Sequence, residues 1–291
     1  MPKNKAVFSD YLSLVKFSHT LFALPFAFIG FFLAIKTTSS SFDVKLLLLV
    51  IACMVFARSA AMAFNRYLDR NIDASNPRTA NVREIPRGVI SANNALWFVI
   101  INVFLFITSS WFINTMCFYL SPLALLVILG YSYTKRFTPL CHFVLGVGLA
   151  LAPIGAYLAI TAQFHFLPVL FSFLVLCWVS GFDIIYALQD EEFDREQKLY
   201  SIPVLLGKKK ALRLSVGLHF LTAIGIILAG ILGHFGALYY IGATLFITLL
   251  FYQHTLVKPN DLSKVNLAFF TSNGIASVVY SIFVTLDLYL N

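Results

Sequence analysis

Charged side chains are scarce in this sequence. Only 12% of its 291 residues are Asp, Glu, Lys or Arg, whereas 59% are hydrophobic, and the mean hydropathy is +0.84. Soluble domains usually carry about 25% charged residues. The composition therefore excludes an ordinary water-soluble domain and indicates a polytopic helical membrane protein.

Cysteine is also rare. The four cysteines are scattered through apolar runs or lie at their ends, and no C-x-x-C pair occurs; they are Cys53, Cys117, Cys141 and Cys177. A structural zinc site or a disulfide framework requires cysteines at characteristic spacings. We expect neither and interpret all four as packing residues.

Long apolar runs are abundant. Nine windows are long enough to cross about 30 Å of hydrocarbon as helices. They lie near 14–35, 46–68, 94–113, 116–133, 142–161, 167–189, 211–233, 236–257 and 266–288. The first is longer than the apolar part of a signal peptide and is expected to be retained. We therefore predict an all-α membrane bundle of nine transmembrane helices, forming a single domain over residues 1–291.

The distribution of basic residues predicts the orientation of this bundle. If the N-terminus is cytoplasmic, the cytoplasmic loops and adjoining helix ends carry 18 of the 21 Lys and Arg residues. This asymmetry is the positive-inside signal. It accounts for the net charge of +8 along one membrane face, so no nucleic-acid partner is expected. No obligate protein partner is indicated either.

Acidic residues are concentrated in two of the predicted cytoplasmic loops. Residues 69–94 and 189–211 hold eight of the thirteen carboxylates. At about 100° per residue, Asn65, Asp69 and Asp73 share one helical face. By the same arithmetic Asp183, Asp190 and Asp194 fall within about 40° of one another, and Tyr186 lies one turn before Asp190. Both segments thus carry acidic stripes that begin inside an apolar run.

Two acidic stripes that face each other repel unless a cation lies between them. Mg²⁺ suits such a site because it binds one or two carboxylates together with waters and substrate phosphates. Nearby cations would then contact diphosphate oxygens; the candidates are Arg66, Arg70, Arg78, Lys135, Arg136 and Lys198. A rim of carboxylates and basic side chains around a membrane cavity suits a lipid diphosphate, whose head is anionic and whose tail stays in hydrocarbon.

Arg58 and Asp183 are ionisable residues inside apolar runs, where charge is costly and usually functional. Arg58 precedes Asn65 by seven residues, so it is expected on the same face about 10 Å deeper in the bundle. Two interpretations remain open. Arg58 pairs with Asp183 as a structural ion pair, or it holds the carboxylate of an aromatic acid in a bidentate contact.

The paired motifs resemble those of a known family. "NRYLDRNIDASNPRT" resembles the N-x-x-x-D-x-x-x-D motif of the UbiA superfamily of intramembrane aromatic prenyltransferases, and "DIIYALQDEEFD" resembles its second motif. "SHTLFALPFAFIGFFLA" and "YSYTKRFT" also look like family segments. The chain most resembles bacterial 4-hydroxybenzoate polyprenyltransferase-like enzymes. Arg66 is a departure, because many relatives have Asp at that position.

The resemblance implies Mg²⁺-dependent transfer of a polyprenyl group from its diphosphate to an aromatic acid, in quinone synthesis at a bacterial inner membrane. It implies metal binding by Asn65, Asp69, Asp73, Asp190 and Asp194. Diphosphate contacts would come from basic residues among Arg66, Arg78, Lys135 and Lys198. Tyr131 and Tyr186 would shelter the allylic cation through cation–π attraction. Asp183 or solvent would receive the proton from the acceptor.

Three alternatives remain at this point. The acceptor could be a dihydroxynaphthoate of menaquinone synthesis instead of 4-hydroxybenzoate. A secondary transporter would also place ionisable residues in the membrane, although its site would lie near the midplane on broken helices. A CDP-alcohol phosphatidyltransferase would use a D-G-x-x-A-R type signature, which this sequence lacks.

Overall fold

The computed structural model describes residues 6–16 and 22–290, and most of these residues are helical. The long helices are α2 (Leu24–Thr38), α3 (Val44–Leu68), α5 (Ala92–Ile113), α6 (Thr115–Thr134), α7 (Cys141–Thr161), α8 (Phe166–Ala187), α10 (Ile202–Leu232), α11 (Ala237–Leu256) and α12 (Asn273–Leu290). Short helices are α1 (Phe8–Leu14), α4 (Arg70–Ser75) and α9 (Glu191–Glu196). Within the described ranges the only β pairing is an isolated bridge between Lys258 and Asp261. The predicted all-α class is confirmed.

Seven of the described helical stretches are long and apolar enough to cross a membrane. α2 has only 15 residues, and α11 has 20 but does not meet the same standard of length and hydropathy. Each of the nine predicted windows overlaps one long helix. Nine membrane crossings remain a prediction, because α2 and α11 do not qualify by length and composition.

The first predicted window, 14–35, begins before the helix that it was meant to describe. α1 ends at Leu14 and Lys16 has a left-handed backbone (φ 48°), so no continuous helix starts at residue 14. α2 begins at Leu24, with Pro25 in its first turn. Proline favours this position because its missing N–H would have no helical partner there. Residues 17–21, which include part of the "SHTLFALPF" segment, lie outside the described residues.

The helices pack as a closely contacting bundle in which α7 and α8 are central. α7 packs against α2, α6 and α8, while α8 also packs against α10. α2 and α7 approach so closely that a Cβ on Gly30 would lie 2.0 Å from the carbonyl oxygen of Pro153. Small residues permit such close contacts between membrane helices. This contact fixes α7 beside the core formed by Phe26 and Trp178.

Asp287 shows how a buried carboxylate in this bundle can be structural. It lies in α12, and its carboxylate accepts hydrogen bonds from the backbone N–H groups of Gly236 and Tyr239 at 2.7 and 3.1 Å. These N–H groups belong to the start of α11 and have no partner within that helix. Asp287 therefore caps α11 from a neighbouring helix.

Candidate active site

One cavity of about 270 Å³ lies among α3, α4, α6, α7, α8 and α9. Twelve of the thirteen residues assigned to the site from the sequence line it: Arg58, Asn65, Arg66, Asp69, Asp73, Arg78, Tyr131, Lys135, Asp183, Tyr186, Asp190 and Asp194. The two acidic segments are far apart in the chain and meet at this cavity. The fold therefore agrees with the prediction that the two acidic segments face each other.

Each acidic segment follows the end of a long helix. α3 ends at Leu68, and α4 continues the turn, with the N–H of Asp73 donating to the carbonyl oxygen of Asp69 at 2.7 Å. α8 ends at Ala187, after which a 3₁₀ turn carries Asp190 and α9 carries Asp194. The chain thus stays nearly helical through both breaks, which keeps each aspartate pair on the cavity side.

Asp69 is the most heavily paired of these carboxylates. Its side chain is 2% exposed and contacts the Lys135 ammonium at 2.5 Å and the Arg136 guanidinium at 2.8 Å. The side-chain amide of Asn65 donates to it at 3.2 Å. Arg136 also donates to the carbonyl oxygen of Leu68. These contacts join the end of α3 to the segment that follows α6.

Asp73 contacts Arg83, which comes from the loop between α4 and α5. The distance between the Arg83 guanidinium and the carboxylate is 2.8 Å. Burial raises the pKa of Asp73, while the neighbouring Arg83 and Arg66 charges lower it and Asp69 raises it further. Burial has the largest effect. Asp73 is therefore a carboxylate whose charge depends on its basic neighbours.

Asp190 is held by residues of the loop that follows α4. Arg78 donates to both of its carboxylate oxygens, with an Nε to Oδ1 distance of 2.9 Å. The Asn76 amide donates to the same Oδ1 at 3.2 Å. Arg78 also donates to the Tyr186 hydroxyl at 3.0 Å. Burial lowers the pKa of Arg78, but the hydrogen bonds to Asp190 and Tyr186 and the Asp190 charge together raise it above its usual value.

Asp194 completes the four aspartates and differs from the others. In residues 6–16 and 22–290 no side chain donates a hydrogen bond to its carboxylate. Across the same residues no three acidic, histidine or cysteine side chains surround one point closely enough to hold a metal by themselves. Mg²⁺ does not require such a cage, because it usually binds one or two carboxylates together with phosphate and water. Oxygen donors in two pairs around one cavity fit that requirement.

The interpretation of Arg58 and Asp183 as a structural ion pair is wrong. Asp183 contacts His142 instead, at 2.7 Å between Oδ2 and Nδ1. Arg58 forms no ion pair with any described residue, and its Nε is buried without a hydrogen-bond partner. A buried polar group without a partner is costly. Of the two interpretations, the one that leaves Arg58 available for an anionic group agrees with this geometry.

Arg66 resembles Arg58 in this respect. Its guanidinium is buried, it contacts the Asn65 side-chain oxygen at 3.3 Å, and its Nε has no hydrogen-bond partner within residues 6–16 and 22–290. No carboxylate of the described chain pairs with it. Two arginines that line the cavity therefore carry charge that no partner cancels at close range.

Lys198 does not line the cavity, and its backbone is left-handed (φ 55°) after the end of α9. Its assignment to the site is therefore not supported. Arg70 is also outside the cavity, because it donates to the carbonyl oxygen of Tyr67 and lies over that ring. Arg136 does not line the cavity either, but it donates to Oδ1 of Asp69 at 2.8 Å. Charge in a loop does not reveal which way a side chain turns.

Sequence reasoning missed three residues that hold the aspartates: Asn76, Arg83 and His142. Asn76 precedes Pro77 and accepts the backbone N–H of Arg78 at 2.9 Å, a turn that the dipeptide "NP" signals. Arg83 lies in the loop already recognised as rich in both charges. His142 was detectable only as a histidine at the start of an apolar window.

These features define a membrane-embedded helical protein with a cavity at its helix ends that can bind cations and anions together. The chain belongs to the UbiA prenyltransferase family, whose model matches residues 23–274. It is accordingly an enzyme, a prenyltransferase. The secondary-transporter alternative is therefore wrong.

Individual relatives agree with this assignment. The chain is 30% identical over 238 residues to a protein of Tolumonas auensis named 4-hydroxybenzoate octaprenyltransferase, covering 81% of this chain and 82% of that one. A Francisella tularensis subsp. mediasiatica protein of the same name is 28% identical over 240 residues, covering 82% and 84%.

Solved structures show the same fold. A UbiA homologue from Aeropyrum pernix K1 superposes with a TM-score of 0.80 at 30% identity, covering 94% of this chain and 97% of that one. A homologue from Archaeoglobus fulgidus, bound to GPP and Mg²⁺, gives a TM-score of 0.75 at 19% identity, covering 96% and 99%.

Proposed function

We propose that this enzyme transfers a polyprenyl group from polyprenyl diphosphate to the ring of 4-hydroxybenzoate or a similar hydroxylated aromatic acid, in quinone synthesis. The observation that carries the proposal is a single cavity that holds both aspartate pairs, a set of basic residues and the unpaired Arg58. The curated relatives named for 4-hydroxybenzoate support this acceptor. The Mg²⁺ and GPP in the Archaeoglobus fulgidus homologue support the metal and the donor.

Asp69, Asp73, Asp190 and Asp194, together with Asn65, would hold Mg²⁺. The chemistry that Mg²⁺ supplies when bound is neutralisation of the diphosphate, which makes it a better leaving group. In the present arrangement Lys135 and Arg78 contact Asp69 and Asp190. The same two cations lie beside the proposed metal ligands, where they would hold anionic diphosphate oxygens. Arg66, which has no carboxylate partner, would add a third positive charge.

The apolar part of the cavity would hold the prenyl chain and exclude water. Leu145, Leu149, Phe182 and Phe269 line this part, and the Tyr186 ring lies 4.3 Å from the Phe269 ring. Aromatic faces such as those of Tyr186 and Tyr131 attract a cation by about 0.5–2 kcal/mol. Exclusion of water is important because water would capture the allylic cation before the acceptor does.

Arg58 would hold the carboxylate of the acceptor. It lies deeper in α3 than Asn65, separated from it by about two helical turns. A guanidinium binds a carboxylate through two parallel hydrogen bonds, which also orients the ring. A dihydroxynaphthoate carries a carboxylate too, which Arg58 would hold in the same way, so it is the alternative acceptor.

The test is transfer of a labelled prenyl group in membranes that contain the full chain. We expect product from prenyl diphosphate and 4-hydroxybenzoate in the presence of Mg²⁺, and none after EDTA treatment. Asp69→Asn and Asp190→Asn should abolish transfer, whereas Asp261→Asn, in the exposed loop before α12, should not. Full activity without divalent metal contradicts the mechanism. Product formed only from 1,4-dihydroxy-2-naphthoate replaces the proposed acceptor with the alternative.

The proposed location is a bacterial inner membrane, with the N-terminus and the active-site loops in the cytoplasm. This proposal is supported by the excess of Lys and Arg on one side of the bundle. The membrane lipid would surround the exposed apolar side chains of the helices, among which Phe104, Trp111 and Leu126 are more than half exposed. The orientation is tested separately below.

A further inference from the structure

Asp183 and His142 form a pair that the diphosphate and metal sites do not use. His142 lies at the start of α7 and its side chain is 4% exposed, whereas Asp183 lies in α8 and is 22% exposed on the cavity side. Their contact joins Nδ1 of the ring to Oδ2 of the carboxylate at 2.7 Å. The hydroxyl of Ser180 donates to the His142 carbonyl oxygen at 3.2 Å, which joins the same two helices.

The partners of His142 determine its tautomer. Ile202 is the first residue of α10, and its backbone N–H points to Nε2 of His142 at 3.3 Å. A backbone N–H can only donate, so Nε2 accepts and carries no proton. From this contact we assign the ring as neutral imidazole whose Nδ1 proton is donated to Asp183. The first N–H groups of a helix have no partner within it, so α10 holds the ring in this state.

Asp183 consequently differs from Asp69, Asp73 and Asp190. Asp69, Asp73 and Asp190 each contact the positive charge of a Lys or Arg, whereas Asp183 contacts a neutral donor. Its hydrogen bond to His142 occupies Oδ2 and leaves Oδ1 without a partner among the described residues. An ionised carboxylate oriented in this way, on the wall of a cavity that also contains Arg58, can accept a proton.

We propose that His142 is a positioning residue that holds Asp183 oriented as the base for the acceptor ring. The inference rests on the prenyl transfer proposed above. In that reaction the bond between the prenyl C1 and the diphosphate oxygen breaks, and C1 bonds to a ring carbon. That carbon then loses its proton to Oδ1 of Asp183, and the electrons of the C–H bond restore the aromatic ring. The proton passes to solvent or to the departing diphosphate.

Two substitutions of His142 separate positioning from proton transfer. Glutamine carries both an N–H donor and a carbonyl acceptor, so His142→Gln can donate to Asp183 and accept from Ile202 as neutral imidazole does. Leucine has a similar size and can do neither. If the ring only positions Asp183, His142→Gln should keep kcat within about threefold of wild type. His142→Leu should lower kcat by about 10²-fold, the lower end of what a positioned base contributes.

The decisive readout uses 4-hydroxybenzoate deuterated at the ring carbons that receive the prenyl group. With wild type and His142→Gln we expect no isotope effect on kcat, because proton loss is fast. With His142→Leu and Asp183→Asn we expect a primary isotope effect above about 2, while KM for prenyl diphosphate stays unchanged. A merely structural loss would not make proton removal rate-limiting.

The proposal is overturned if His142→Leu retains wild-type kcat. It is equally overturned if both His142 variants lose activity together without an isotope effect. Binding of prenyl diphosphate with Mg²⁺ by purified His142→Leu establishes that this variant is folded. If wild type itself transfers no prenyl group to any aromatic acid, the proposed function fails, and the role of Asp183 fails with it.

Discussion

Arg78 joins the two acidic segments by donating to both carboxylate oxygens of Asp190, 112 residues further along the chain. The loop after α4 thereby contacts the start of α9, and the same guanidinium reaches the hydroxyl of Tyr186. Because an arginine can bind either a carboxylate or a phosphate in this way, the contact is available for exchange when an anionic substrate enters.

Replacement of Arg78 tests this contact. Arg78→Lys keeps the charge but cannot make two parallel hydrogen bonds. We expect kcat/KM for prenyl diphosphate to fall about tenfold or more, because a hydrogen bond to a charged group contributes roughly 1.5–3 kcal/mol. The measurement is initial rate against prenyl diphosphate concentration. Arg87→Lys, exposed in the same loop, is the control, and an equal loss in both variants would contradict a specific role for Arg78.

Arg83 is expected to control the pH dependence through Asp73. Burial raises the pKa of Asp73 and Arg83 opposes that effect. Metal binding requires the ionised carboxylate, so activity falls as the pH drops through this pKa. Arg83→Gln removes the opposing charge, raises the pKa and should move the acidic limb of the kcat/KM profile to higher pH. A profile that moves to lower pH, or does not move, would contradict this account.

Arg58 should determine the affinity for the acceptor and not for the donor. Arg58→Met should raise KM for 4-hydroxybenzoate by about 10-fold or more, since hydrogen bonds to charged groups contribute roughly 1.5–3 kcal/mol. KM for prenyl diphosphate should stay within twofold of wild type. The variant should also lose its preference for 4-hydroxybenzoate over an analogue that lacks the carboxylate. If KM for the two substrates rises in parallel, Arg58 does not bind the acceptor.

Gly30 should limit stability through the contact between α2 and α7. In Gly30→Ala the new methyl group would meet the carbonyl oxygen of Pro153, so we expect a loss of about 1–3 kcal/mol and a lower Tm in detergent. Gly130→Ala in α6 is the control, because a Cβ there meets nothing within 4 Å. Equal Tm values for the two variants would show that α2 and α7 accommodate the methyl group without loss of stability, which would contradict this prediction.

Single cysteines can test the orientation. Glu192→Cys lies in the exposed part of α9 and Ser41→Cys in the exposed loop between α2 and α3. A membrane-impermeant maleimide should label Ser41→Cys in intact spheroplasts, and Glu192→Cys only after permeabilisation. Wild type, with its four native cysteines, gives the background. The opposite labelling pattern would reverse the proposed topology.

Local sequence was sufficient for the class of the fold and for naming most of the residues that carry the candidate site. Apolar runs must be helical in a membrane, since only helices and closed barrels satisfy the backbone there. The four-residue spacing of Asn65, Asp69 and Asp73 survives the end of α3, because α4 continues the turn. The start of α2 was less predictable, because apolar composition continues through residues where the backbone leaves the helix.

The tertiary structure decided which side chains contact each other at the cavity. Asp183 contacts His142 and not Arg58, and Lys198 does not line the cavity. The sequence by itself determined which residues are charged and on which helical face they begin, because helical periodicity is local. Only the packing of α7 against α8 and the start of α10 decided that His142 reaches Asp183. Those contacts depend on distances between helices that no local pattern records.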